Sequence, residues 1–252
     1  MKHLQQTAMY FWICLAYVSG TVSLVFFVVF LSVGSFHLIQ LDLSFSVALA
    51  WNTLLSAVFF IQHSGMVRRF FRQRLAQLVA DSFHGLIYTI ASGFILTLCM
   101  MLWQRTGEPI ILFEGIPAWF CRGLFSLALL GFAWGAYALK TLDTFGVKPA
   151  LSVLRGRSPV PSPFVVKGPY RWVRHPLYFF TLVLFWSYPA PTPDRLLFNV
   201  LWSVWIFAAT FAEERDLVSH FGDSYVQYQR AVPRIFPWRP PISVSFSLSN
   251  NS

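Results

Sequence analysis

The chain has 252 residues, of which 56% are hydrophobic and only 12% are charged. Soluble domains carry about 25% charged residues, so this composition excludes an ordinary soluble protein and indicates an integral membrane protein. The formal net charge of +9 does not indicate nucleic-acid binding, because the basic residues lie almost entirely beside apolar runs, where anionic lipid headgroups account for them. We therefore expect membrane lipid, and not nucleic acid, around this chain.

Long apolar runs predict the membrane-spanning helices, since a helix needs about 20 apolar residues to cross roughly 30 Å of hydrocarbon. A shorter run, 177–188, is followed by a proline-rich turn at 189–193, and with the next run it predicts a tight helical hairpin. The sequence thus predicts an all-α membrane protein with about six spans. Runs without Asp, Glu, Lys or Arg occupy 9–33, 43–62, 85–103, 123–139 and 196–212.

The distribution of Lys and Arg predicts the orientation, because cytoplasmic loops are enriched in both. Most of these residues fall in segments 63–84, 140–176 and 213–240. Both termini and the motif-rich second half are therefore expected on the cytoplasmic side, in the inner membrane of a bacterium. The alternate loops keep only three basic residues, Arg105, Arg122 and Arg195.

The segments between the spans differ in character. Residues 66–81 place apolar side chains at helical spacing opposite arginines, which predicts a helix lying in the membrane interface. Segment 144–170 is rich in Pro, Gly and Ser and is predicted not to form one continuous helix. We expect a single membrane domain with four spans in 1–143, a loop, hairpin and C-terminal helices in 144–240, and a frayed tail at 241–252.

The cysteines and the first apolar run exclude two further features. Cys14, Cys99 and Cys121 lie in or at the edges of spans without paired spacing, so neither a disulfide framework nor a metal site is predicted. The run at 9–33 is long and has no small-residue cleavage pattern after it, which predicts a retained helix and not a removed signal peptide.

Two polar blocks flank the hairpin. GPYRWVRHPLY at 168–178 brings Arg, His and Tyr side chains to the start of a membrane helix. Polar side chains at the edge of the hydrocarbon cost free energy, so their concentration here points to a bound polar ligand. The alternative is that these side chains bind no ligand and reflect only the usual enrichment of Arg, Trp and Tyr at membrane interfaces. Glu213 and Glu214 stand at the inner end of the last span, where carboxylates need cationic partners. The partner is either a cationic ligand or an arginine such as Arg174 or Arg215.

The last span is predicted to continue as a helix through EERDLVSHF to Gly222, since glycine commonly ends helices. A short helix should follow and end at Pro233. Tyr225 and Tyr228 share one face of it.

Together these blocks resemble the isoprenylcysteine carboxyl methyltransferase and phospholipid methyltransferase superfamily. The resemblance covers roughly residues 160–238 and rests on the order and spacing of RHPxY, the paired glutamates and FGxxYxxY. It implies a cytoplasmic S-adenosyl-L-methionine site formed by the last two spans and flanking loops, with the amino group of the cofactor on Glu213 or Glu214. The residues implied to line the cofactor are Phe164, Val165, Tyr170, His175, Pro176, Leu177 and Tyr178.

A narrower resemblance extends over most of the chain. FIQHSGMVRRFF at 60–71 and TLDTFG at 141–146, with EERDL, resemble bacterial methanethiol S-methyltransferases and their NnrU-like relatives. Prenylcysteine enzymes are expected to carry an arginine one turn before the cofactor glutamate, whereas 207–212 is uncharged here. A small or lipophilic thiol substrate therefore fits better than a carboxylate. Since a thiol attacks as its thiolate, His63 and Arg174 are the candidate catalytic residues that would lower its pKa.

Three alternatives stay open. A methyltransferase of this superfamily could act on isoprenylcysteine carboxylate or on a phospholipid amine. An NADPH-dependent sterol-type membrane reductase also resembles the C-terminal segments, but Leu177 replaces the asparagine of its RHPNY-like motif and the paired glutamates resemble the methyltransferases. A catalytically silent membrane protein associated with nitrogen-oxide metabolism is the third.

Overall fold

The structure is a computed structural model and describes residues 2–139, 143, 145–156 and 164–243. The described residues form α-helices and two short 3-10 turns, Asp81–Phe83 and Gly168–Arg171, and they contain no strand. The all-α class predicted from the sequence is confirmed. The helices are α1 (Lys2–Val33), α2 (Phe45–Val67), α3 (Arg69–Ala76), α4 (His84–Met101), α5 (Gly115–Ala138), α6 (Lys148–Leu154), α7 (Pro176–Trp186), α8 (Pro193–Phe221) and α9 (Asp223–Ala231).

Within the described part of the chain, five helical segments are long and apolar enough to cross a membrane, which makes the protein an integral membrane protein. Each overlaps a predicted span, and α5 and α8 extend beyond the predicted runs because Arg and Glu end an apolar run but are good helix formers. The hairpin helix α7 has 11 residues, or about 16 Å, and does not cross the hydrocarbon alone. The sixth span therefore stays a prediction. The five segments are Gln6–Val33, Phe45–Val67, Asp81–Met101, Gly115–Ala138 and Pro193–Phe221.

The helix predicted over 66–81 is shorter than expected. The extended backbone of Arg68, with φ −69° and ψ 145°, separates α2 from α3, which then ends at Ala76. None of the α3 residues is buried within the chain. The interfacial location of this helix stays a prediction.

Part of the proline-rich loop is described, and it is not one continuous helix, as expected. It contains α6, which the sequence did not predict, and the 3-10 turn at Gly168–Arg171. Half of TLDTFG lies outside the described residues, namely Thr141, Leu142 and Thr144, and so do Lys140, Arg157, the prolines of 157–163 and the tail after 243.

The contacts divide the chain into two compact units. Unit 1 consists of Met1–Pro109, Asp143–Pro161 and Thr192–Phe198. In it α1 packs closely on α4. The approach is so close at Gly93 that an added Cβ would lie 2.7 Å from Ser19 Oγ. Small residues allow helices in membranes to approach in this way.

Arg195 is buried in unit 1, with 2% of its surface exposed, although the sequence counted it as a loop charge. That expectation was wrong because α8 begins at Pro193 and takes Arg195 into its first turn. Its Nη1 and Nη2 donate to the main-chain carbonyls of Phe30 at 3.1 Å and Leu31 at 2.8 Å. These carbonyls belong to the last turn of α1, where cations are favourable.

Unit 2 consists of Ile110–Leu142, Ser162–Pro191 and Asn199–Ser252. In this unit α5 packs against α7 where glycines leave room for larger side chains. Gly222 has φ +56° and separates α8 from α9, so the predicted helix stop is confirmed. The predicted shared face of α9 is also present, since both of its tyrosines are buried.

Candidate functional site

The polar block at 168–178 folds as a 3-10 turn that leads into α7. Gly168 has φ +55°, and a Cβ there would lie 2.9 Å from Ala138 Cβ and 3.3 Å from Trp134 Nε1, so glycine is required. Pro176 occupies the first turn of α7, where its missing N–H removes no helical hydrogen bond. These local features hold His175 directly before α7.

Glu214 is the centre of a polar cluster in unit 2, and its side chain is only 4% exposed. Its Oε1 accepts a hydrogen bond from Arg174 Nε at 2.7 Å and lies 3.1 Å from His175 Nε2. Its Oε2 lies 3.0 Å from Gln229 Nε2 and 3.1 Å from Arg234 Nη2. A buried carboxylate is tolerated only with such partners. Glu214 is thus paired with Arg174, one of the two arginines that the sequence offered as its partner.

Arg174 joins three parts of unit 2. Besides its bond to Glu214, its Nη1 donates to the main-chain carbonyls of Gln229 at 2.8 Å and Val232 at 2.5 Å. Its main-chain N–H donates to the carbonyl of Pro233 at 2.8 Å. The side chain is 7% exposed and is engaged by the protein itself.

His175 lies between the two glutamates. Its Nδ1 is 3.6 Å from Glu213 Oε2, while its Nε2 faces Glu214. Its ring stacks on Tyr178 with centroids 5.4 Å apart and planes 15° apart. The histidine side chain is 4% exposed, whereas that of Glu213 is 45% exposed. Glu213 is thus the carboxylate of this pair that is accessible to a ligand.

Two members of the cluster, Arg234 and Gln229, were not predicted as site residues. The Arg234 guanidinium lies 3.8 Å from the ring centroid of Phe211, and its side chain is 27% exposed. From the sequence this arginine counted only as a cytoplasmic charge. The feature of the sequence that could have pointed to it is Glu214, because a carboxylate at this depth costs free energy unless more than one donor pairs with it.

A cluster of aromatic side chains packs beside the 3-10 turn at Gly168–Arg171. The ring of Phe164 lies 5.8 Å from that of Tyr225 and 5.5 Å from that of Tyr228, whose hydroxyl donates to the Tyr170 carbonyl at 2.6 Å. Burial raises the pKa of the Tyr170 phenol, and the charge of Glu213 adds to the effect, so this phenol stays neutral. The remaining predicted residues here are buried or half-buried: Val165, Pro176 and Leu177.

His63 lies in unit 1, whereas the other predicted site residues lie in unit 2. Its Nε2 is 2.8 Å from the hydroxyl of Tyr88, and its ring centroid is 5.1 Å from that of Phe59. The sequence did not single out Tyr88, because nothing in its neighbourhood on α4 marks it as a partner for α2.

Comparison with known proteins finds several methyltransferases among the relatives of this chain. No protein-family profile and no solved structure matches it. Methanethiol S-methyltransferase 1 of Bradyrhizobium diazoefficiens is 31% identical over 79% of this chain and 70% of its own length. Methanethiol S-methyltransferase 2 of the same organism is 35% identical, over 75% and 73%. Methanethiol S-methyltransferase of Mycobacterium tuberculosis is 30% identical, over 76% and 79%. At this identity and coverage, the chain belongs to the methanethiol S-methyltransferase family.

Proposed function

We propose that the protein is a membrane enzyme that transfers a methyl group from S-adenosylmethionine to a small thiol such as methanethiol, giving a thioether. The observation that carries this proposal is sequence similarity. Methanethiol S-methyltransferases 1 and 2 of Bradyrhizobium diazoefficiens are 31% and 35% identical to this chain, over 79% and 75% of its length. The polar cluster of unit 2 supports it through the chemistry of its side chains.

The side chains of the cluster match the functional groups of S-adenosylmethionine, which supplies an electrophilic methyl group on a positively charged sulfonium. Its ammonium calls for a carboxylate, and the Glu213 side chain is 45% exposed. Its carboxylate calls for a cation, and Arg234 is 27% exposed. The faces of Tyr170 and Tyr178 suit a sulfonium or an adenine ring.

The two glutamates have different roles in this proposal. Glu214 already has Arg174, Arg234 and His175 as partners, so a ligand ammonium there would have to displace a buried donor. Among the described residues, Glu213 has only the longer 3.6 Å approach to His175, and its side chain is 45% exposed. Glu213 therefore binds the ligand, and Glu214 positions the arginine and histidine beside it.

In the reaction the thiol sulfur forms a bond to the methyl carbon as the methyl–sulfonium bond breaks, leaving S-adenosylhomocysteine and a proton that passes to solvent. The protein contributes alignment and exclusion of water. Arg174 acts as a positioning residue, because its side chain is held by Glu214 and main-chain carbonyls. His63 is the candidate that lowers the pKa of the thiol.

The substrate and the orientation follow from the charges. Residues 207–212 carry no charge, so this stretch offers no partner for a prenylcysteine carboxylate and favours a neutral thiol. The basic segments support a cytoplasmic location for both termini and for the cofactor site. The reductase alternative finds no support among the relatives, which are named methyltransferases.

The test uses purified full-length protein in detergent, with labelled S-adenosylmethionine binding, labelled NADPH binding and headspace detection of dimethyl sulfide from methanethiol. We expect saturable S-adenosylmethionine binding and dimethyl sulfide release, both reduced in Glu213→Gln. The matched control is Glu108→Gln, which changes an exposed glutamate of unit 1. Binding of NADPH without S-adenosylmethionine binding would overturn the proposal.

A further inference from the structure

Unit 2 contains an apolar cavity of about 340 Å³ between α5, α7, α8 and the segment after α9. A polar wall residue, Ser203, is already engaged, since its hydroxyl accepts a hydrogen bond from Trp186 Nε1 at 3.1 Å. Trp186 is itself part of the wall, and the other wall side chains are apolar: Leu124, Phe179, Leu182, Val183, Phe207 and Phe236.

The cavity is built on the same elements as the polar cluster. The main-chain N–H of Phe179 in α7 donates to the carbonyl of His175, which lies directly before this helix. On α8, Phe207 precedes Glu214 by seven residues, or about 10 Å along the helix axis. Phe236 follows shortly after Arg234 on the last segment. One end of the cavity is therefore near the charged cluster, and its walls continue into the apolar part of the helices.

We propose that this cavity binds the hydrocarbon chain of an alkyl thiol, so that thiols longer than methanethiol are also substrates. The inference rests on the proposed methyl transfer. Methanethiol has two heavy atoms and fills little of 340 Å³, a volume within the usual range of small-molecule pockets. Each methylene group buried there is expected to improve binding about fourfold.

The cavity suits an alkyl thiol better than a membrane phospholipid. Two long acyl chains exceed 340 Å³, and the residues that line the cavity supply no cation for a phosphate, since they are apolar except for Ser203. A thiol brings no charge until it ionises. Its chain would lie among Phe179, Val183 and Phe207, with its sulfur at the end of the cavity nearest the charged cluster.

The experiment compares kcat/KM for hexanethiol with that for methanethiol. Val183→Phe fills the cavity, and the matched control Val204→Phe makes the same change at a position that is 64% exposed on α8. We expect the hexanethiol to methanethiol ratio to fall at least tenfold in Val183→Phe and to be unchanged in Val204→Phe. Partition of the thiols into detergent is the same for all variants and cancels in this comparison.

A second variant covers the case in which Val183→Phe does not fold. Phe207→Ala enlarges the cavity and should shift the preferred chain length upward, from hexanethiol toward decanethiol. The cavity assignment would be overturned if wild-type protein methylated methanethiol but none of the thiols with longer chains. It would also be overturned if neither variant changed the ratio. Both outcomes would leave the proposed function intact. Co-purified phospholipid that Val183→Phe displaces without moving the ratio would assign the cavity to lipid. Wild-type protein that methylates no thiol overturns the proposed function, and this inference with it.

Discussion

Arg174 and Glu214 are 40 residues apart in sequence, yet the Nε of the arginine lies 2.7 Å from Oε1 of the glutamate, with both side chains nearly inaccessible to solvent. The pair joins the turn before α7 to the C-terminal part of α8. It connects the two polar blocks that flank the hairpin in the sequence. Since neither charge is tolerated alone when buried, the geometry of this part of unit 2 depends on both.

Replacing each glutamate by glutamine should separate positioning from ligand binding. Glu214→Gln leaves two arginines without their carboxylate, and breaking a buried pair costs about 3–5 kcal/mol, so its melting temperature in detergent should fall by several degrees. Glu213→Gln should leave the melting temperature unchanged because the side chain is 45% exposed. Its dissociation constant for S-adenosylmethionine should rise about tenfold or more, the value of a charge-assisted hydrogen bond. The opposite pattern would exchange the two roles.

Gly168→Ala should damage the site through the backbone. A left-handed φ costs a non-glycine residue about 1–2 kcal/mol, and the added Cβ would also meet Ala138 Cβ at 2.9 Å. We expect a lower melting temperature and weaker S-adenosylmethionine binding. Gly123→Ala on α5 is the control, since a Cβ there meets nothing within 4 Å and alanine favours the helix. Equal melting temperatures for the two variants would contradict the conformation of the turn.

Arg195→Met should destabilise unit 1 without touching the polar cluster of unit 2. The substitution removes two charged donors from the last-turn carbonyls of α1, and each such hydrogen bond contributes about 1.5–3 kcal/mol. The melting temperature should fall, while the dissociation constant for S-adenosylmethionine of the folded fraction should be close to that of wild type. Arg105→Met, at an exposed arginine, is the comparison. A variant as stable as wild type would show that Arg195 does not cap α1.

His63→Ala tests the proposed activation of the thiol. If His63 assists ionisation, kcat with methanethiol should fall about a hundredfold or more, and the pH profile should shift toward higher pH, because the thiolate must then form unaided. The dissociation constant for S-adenosylmethionine should not change. Tyr88→Phe, which removes the hydroxyl 2.8 Å from His63 Nε2, should give a smaller loss of the same kind. A lower melting temperature with an unchanged pH profile would indicate a structural histidine.

The sequence by itself determined the membrane class, the positions of the long helices and the end of α8 at Gly222. These features depend on local properties, because hydrophobic length and the left-handed preference of glycine act over neighbouring residues. The motif spacing of RHPxY, the paired glutamates and FGxxYxxY also indicated the family. Charged residues inside the helices shifted the predicted boundaries, as at α5 and α8.

Only the tertiary structure distinguished the two glutamates. Adjacent residues on α8 have the same local sequence, but one side chain is 4% exposed and the other 45%, because Arg174 and Arg234 approach one side of the helix. The burial of Arg195 has the same origin, since the end of α1 supplies its acceptors from more than 160 positions away. Partners so distant in sequence leave no local signal, and only the packing of the helices decides which charges are paired and which are left open to a ligand.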